Sequence, residues 1–162
     1  MHLSVQELLH YTDEERQRWE QWFHENGAEL LKMPVGGRHD MSVGALLLHV
    51  FGSEARCVQR LRHEPLHEYR ERPCERIEEV FGFGLEKRGM MRDFVQSATD
   101  QDWKRIVELQ VDGRGYRVSA RKLVLYTLLH ELRHWAHLER VMRDRGFEPP
   151  GEHGLLDSSA LI

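Results

Sequence analysis

"ARKLVLYTLLHELRHWAHLERVMRDR", residues 120 to 145, is the stretch whose periodicity sets the fold. Leu123, Thr127, His130, His134, Leu138 and Val141 recur at three- and four-residue intervals, which stacks their side chains on one face of an α-helix. Ser119 stands in front as an N-cap, Gly146 follows at the C-terminal end, and Pro149-Pro150 block continuation. The stretch therefore reads as a long amphipathic helix that places two histidines on its apolar stripe.

The same pattern extends outward. Residues 4 to 26 carry strong helix formers, with Leu8, Tyr11, Trp19, Trp22 and Phe23 on one side and Gly27 at the end. After the break at "PVGGRHD", Ser42 caps a second helix over residues 43 to 63, which closes as Pro65 approaches. Residues 75 to 98 give a third, with an interruption expected at Gly82 and Gly84. Between the third and last helices, Ile106, Val107, Leu109 and Val111, then Asp112-Gly113, then Tyr116 and Val118, read as two short strands around a tight turn. The tail "GEHGLLDSSALI" is expected to be loose or packed against a neighbour. Four long amphipathic helices with one small β-hairpin before the last predict an all-α, four-helix-bundle domain over residues 1 to 162.

Bulk composition narrows the function. With 162 residues, a net charge of −4 and basic residues scattered among acids, the chain has no basic stripe for DNA or RNA. No segment approaches the ~20 apolar residues of a membrane span, and the charged N-terminus lacks a signal-peptide core. A cytoplasmic protein is expected. Cys57 and Cys74 fit neither a disulfide scaffold nor a cysteine zinc site.

Histidine spacing alone proves little, because 11 histidines in 162 residues give about 0.7 of a pair at any fixed spacing by chance. His63 and His67 are such a pair, bracketing the helix-breaking Pro65. Context separates His130 and His134 from that background. Both lie inward on the last helix, one turn apart, and His49 lies inward near the middle of the second. Three facing imidazoles repel when protonated and leave acceptors unmatched when neutral, whereas a divalent ion satisfies three nitrogens at once. Three protein ligands leave a coordination position for water or substrate. His137, two turns from His130, lies close to the site, either beside the ligands or as one of them. Glu131 is either a salt-bridging residue or a carboxylate near the ion.

His130-Glu131-Leu132-Arg133-His134 is also literally HExxH, the zinc-protease signature. That reading needs the glutamate as base and a third ligand downstream, yet little follows except Glu152 and His153 in a short tail. The longer HExxHxxGxxH form fails, since His137 and Arg140 occupy its glycine and histidine positions.

"SVGALLLHVFGSEARCVQRL" (42 to 61), "VDGRGYRVS" (111 to 119) and "LLHELRHWAHLERVMRDRG" (128 to 146) together resemble the DinB-like superfamily of four-helix-bundle metalloproteins over nearly the whole chain. The resemblance implies that His49, His130 and His134 are metal ligands. It also implies a divalent ion, often zinc or nickel, frequent homodimers, and thiol-dependent transfer or isomerisation with low-molecular-weight thiols. The commoner family pattern continues HRGQ after the second ligand. Here the stretch is His134-Trp135-Ala136-His137, which puts His137 where that glutamine stands. The leading expectation is a metal-dependent transferase or hydrolase on a small molecule, with Glu131 and His137 as candidate proton carriers. The rival is a non-catalytic metal-binding or dimerising helical module.

Overall fold

Serine hydroxyls open three of the long helices, each accepting an orphan backbone N–H of the first turn. Ser4 caps α1 (Val5–Asn26) and completes a reciprocal capping box with Glu7. Ser42 caps α2 (Val43–Arg62), and Ser119 caps α5 (Ala120–Arg143). The third long helix, α3 (Ile77–Ser97), starts without a side-chain cap. Thr99 forms a capping box with Asp102 over α4 (Asp100–Lys104), a one-turn helix absent from the sequence reading. This computed structural model describes residues 4–36, 41–151 and 154–160. Gly37 to Asp40 of the "PVGGRHD" break, and Glu152 and His153, lie outside them.

The hairpin comes as expected. β1 (Ile106–Val111) pairs antiparallel with β2 (Arg114–Ser119), Leu109 facing Tyr116 and Val107 facing Val118. Asp112 and Gly113 make the turn, both at positive φ (49° and 75°), as a two-residue loop of that hand requires. The tail is not loose among the described residues: Ser158 and Ser159 hydrogen-bond Glu14 of α1, holding a 3-10 turn (Gly154–Asp157) against the bundle.

Helix α3 runs through Gly82 and Gly84 without a break, so the expected interruption is corrected. Gly84 is there for packing. A Cβ built on it would lie 2.8 Å from the ring of Phe51, so the missing side chain is what lets α3 close on α2. Gly82 faces open space.

Contacts run α1 to α3, α3 to α2, α2 to α5 and α5 to α1, so the helices follow one another around the bundle in that order. Two apolar clusters fill it. One gathers Trp19, Phe23, Leu47, Phe51, Phe81, Trp135 and Leu138, the other Leu8, Val58, Leu61, Met91, Val95, Leu123 and Leu128. Where the clusters meet, each of the four long helices contributes one buried charged residue to a shared layer: Arg16 on α1, Glu54 on α2, Arg88 on α3 and Glu131 on α5. Two positive and two negative groups thus form a neutral layer. Arg16 bonds Glu131 through Nε (2.7 Å) and Nη2 (2.7 Å), and Glu54 through Nη2 (2.8 Å). Arg88 pairs with Glu131 at 2.7 Å and with Glu54 at 3.0 Å. Arg16 also donates to the Gly84 carbonyl, and Arg88 to Thr12 Oγ1. Burial opposes charge on Arg16 and Glu131, and their mutual attraction together with directed hydrogen bonds overcomes it.

The two glycines give a paired test. Gly84→Ala is expected to destabilise by about 1–3 kcal/mol, because overpacking against Phe51 outweighs better helix propensity. Gly82→Ala should stabilise by up to about 1 kcal/mol, since nothing opposes the propensity gain. Urea unfolding midpoints of the two variants should move in opposite directions.

Candidate metal centre

Opposite the charge layer on α2 and α5, three half-buried imidazoles converge. His49 sits in the second turn of α2, where the Ser53 hydroxyl donates to its carbonyl at 2.7 Å and Arg56 in turn donates to Ser53 Oγ. His130 and His134 come from consecutive turns of α5. His49 Nε2 lies 3.4 Å from His130 Nε2, and His134 Nε2 lies 3.0 Å from the same atom. All three ligand atoms fall within 4.8 Å of one another.

These separations match a shared ion. Two nitrogens bound at ~2.1 Å and subtending 90° to 110° are ~3.0–3.4 Å apart. The donor set is as suitable as the spacing. Burial, with His49 next to it, pulls the His130 imidazole down to about 4; burial, with His130 and His49 adjacent, pulls His134 down to about 3. Both rings are therefore uncharged at neutral pH, the state in which an imidazole nitrogen ligates. Arg56 and Arg133 add positive charge near His130. The ring of Tyr126 stacks on His130, 6.0 Å between centroids at an interplanar angle of 28°.

His137, three residues beyond His134, is half-buried and close enough to oppose its protonation. It is not one of the three whose ligand atoms converge; the third comes from His49 on α2. His63 caps the end of α2 in the left-handed region, and His67 pairs with Gln59, so that pair is structural.

Glu131 settles the literal HExxH. Its Oε1 accepts from Arg16 Nε and Trp135 Nε1, and its Oε2 from Arg16 Nη2 and Arg88 Nη2. Four donors occupy the four lone-pair directions of the carboxylate, leaving none to take a proton from water. Burial alone would raise its pKa, but the two guanidiniums outweigh it and hold the group ionised. Its candidacy as a proton carrier is corrected: it is the salt-bridging residue, locked into the bundle core. Cys57 is likewise inert, buried with its thiol pushed up to about 12.

Sequence reasoning missed Tyr126 and Arg56. Each was accessible by helical spacing, four residues before His130 and seven after His49. The charge layer was missed as well. Its signal was Arg16, Glu54 and Arg88 standing on apolar stripes, where an unpaired charge does not survive.

A four-helix bundle with a hairpin before the last helix, and a histidine trio shared between its second and last long helices, defines a class of helical bundle with a candidate metal site. The model of the DinB superfamily matches residues 11–138, and the chain belongs to that family. The fold is similar to the crystal structure of a DinB-like protein (YjoA) from Bacillus subtilis, with a TM-score of 0.64 at 16% identity over 91% of this chain and 95% of that one. No curated protein matches the chain.

Two expectations follow. Metal per chain, measured by mass spectrometry on purified protein, should be close to one for wild type and His137→Ala. It should fall steeply for His49→Ala, His130→Ala and His134→Ala; full occupancy in the His49 variant would remove the cross-helix site. Glu131→Gln should cost about 3–5 kcal/mol of stability at neutral pH, because it leaves two buried guanidiniums short of a countercharge. The sign with pH is fixed. A carboxyl held below its ordinary 4.5 contributes stability above that value and loses it as pH falls below, so the variant's stability should decline less steeply in acid.

Proposed function

We propose that this chain is a divalent-metal-dependent enzyme acting on a small molecule, with His49, His130 and His134 holding zinc or nickel, and that its reaction is thiol-dependent transfer. The observation that carries the reading is the three-nitrogen convergence at 3.0 and 3.4 Å on half-buried side chains. His49, His130 and His134, from two adjacent helices, would hold the ion with three protein ligands and so would leave room for a thiol or water to bind it. A divalent ion there supplies Lewis acidity, which lowers the pKa of a thiol or water reaching it.

The protein's own groups divide the remaining work. Neutral His130 and His134 hold their Nε2 lone pairs toward one point without competing for protons at neutral pH. His137 takes the proton released when the thiol ionises, since Glu131 is saturated. Arg56 and Arg133 favour the thiolate over the thiol by their charge. The thiolate sulfur then forms a bond to an electrophilic carbon, and the displaced group departs with its bonding pair. A low-molecular-weight thiol is the donor, a cytoplasmic setting keeps it reduced, and the working unit is a homodimer.

Cobalt(II)-substituted protein tests this reading directly, because thiolate coordination adds a sulfur-to-metal charge-transfer band in the near ultraviolet. Cysteine, glutathione and coenzyme A are titrated separately while conjugation to a chloronitrobenzene acceptor is followed. At least one thiol should produce the band and accelerate conjugation, and His137→Ala should slow the conjugation without removing the band. If acetate perturbs the spectrum and no thiol does, metal-assisted hydrolysis replaces transfer. If nothing perturbs it, the site serves only to stabilise the bundle.

A further inference from the structure

The β-hairpin is amphipathic, and its apolar face is only half used. Val107, Leu109 and Val111 share one face with Tyr116 and Val118, whereas Glu108 and Arg117 pair across the other. Val107 and Leu123 are buried and seal the inner end against α5. Beyond them strand and helix diverge: Leu109 and Val118 are half-buried, and Tyr116 and Tyr126 remain 43% and 48% exposed. The wedge between them is a cavity of about 210 Å³ lined by Leu109, Val111, Tyr116, Val118, Leu123 and Tyr126, with Lys122 as the one charged wall among the described residues.

Helix geometry ties this cavity to the histidines. Lys122, Tyr126, His130 and His134 are spaced by four, so they form one row along α5 at ~6 Å per step. Tyr126 is the shared wall, lining the cavity and stacking on His130.

We infer that this cavity binds the apolar part of the electrophilic substrate, and that the substrate is a small aromatic compound with a carboxylate at the end remote from the histidines. Size supports one ring, since a cavity of ~150 Å³ is enough to hold benzene and this one has room for a short arm besides. Two tyrosine rings favour an aromatic occupant. Lys122, two turns from His130, fixes the charge and its end. The role as a substrate pocket rests on the proposed metal-dependent reaction, whereas the binding itself rests on the hairpin and α5 alone.

Metal-free protein labelled with nitrogen-15 is titrated with 4-phenylbutanoate and, separately, with the neutral 4-phenylbutanamide, and amide shifts are followed by NMR. Shifts should centre on Leu109, Val118, Lys122 and Tyr126, with the acid binding about threefold to fivefold tighter than the amide, the range of one exposed ion pair. Lys122→Met should erase that preference. Val118→Trp should fill the cavity and abolish binding, with the rim substitution Val111→Trp as a second blocker whose folding is checked by its unchanged spectrum elsewhere. His130→Ala should leave binding in place, so loss of the metal site and loss of the pocket are read independently. Equal affinity for acid and amide, shifts centred elsewhere, or a self-associated protein whose second copy covers the cavity and excludes both probes would each overturn the inference.

Discussion

The arrangement of the bundle depends on one buried exchange of charge. Arg16, Glu54, Arg88 and Glu131 come one from each long helix and neutralise each other between two apolar clusters. Hydrophobic burial would hold four amphipathic helices together in several rotational settings, because apolar contact is non-directional. A guanidinium shared between two carboxylates is directional and tolerates few settings. The layer therefore fixes how each helix is turned about its own axis, the use of buried polar groups that favours specificity over raw stability.

That rotational lock is what makes the histidine site. Glu131 and His130 are neighbours in sequence and point about 100° apart on α5, so anchoring the glutamate among arginines aims the histidine at α2. Glu54 does the same for α2, five residues beyond His49. Trp135 reinforces the setting from the next turn, bonding Glu131 and stacking on Trp19 with 5.5 Å between centroids. The three imidazole nitrogens then arrive at 3.0 and 3.4 Å spacings because two carboxylates elsewhere on the same helices are held.

The HExxH string shows how one pattern serves two physical ends. In a zinc protease the glutamate needs a free lone pair beside a water. In this chain both of its oxygens are filled by four N–H donors from α1, α3 and α5 itself, and its role is structural. The two histidines keep a ligand's geometry, because residues four apart share a helix face in any fold. The glutamate's function depends on what the rest of the chain brings to the adjacent face.

The amino-acid sequence by itself determined the four long helices, the Ser4, Ser42 and Ser119 ends, the Asp112-Gly113 hairpin and the inward histidines, all of which follow from local rules of periodicity and capping. Family resemblance in the same residues pointed to DinB-like proteins, and the matching family model agrees. Tertiary structure decided the rest. Gly84 reads locally as a helix breaker, yet it is continuous helix because Phe51 of another element needs the space. Glu131 could be read as base or salt bridge until Arg16 and Arg88, 115 and 43 residues away in sequence, were seen to close on it. The cavity beside Tyr126 exists only because hairpin and helix part after Val107 and Leu123. Each of these turns on contacts between distant segments, whose partners no local spacing specifies.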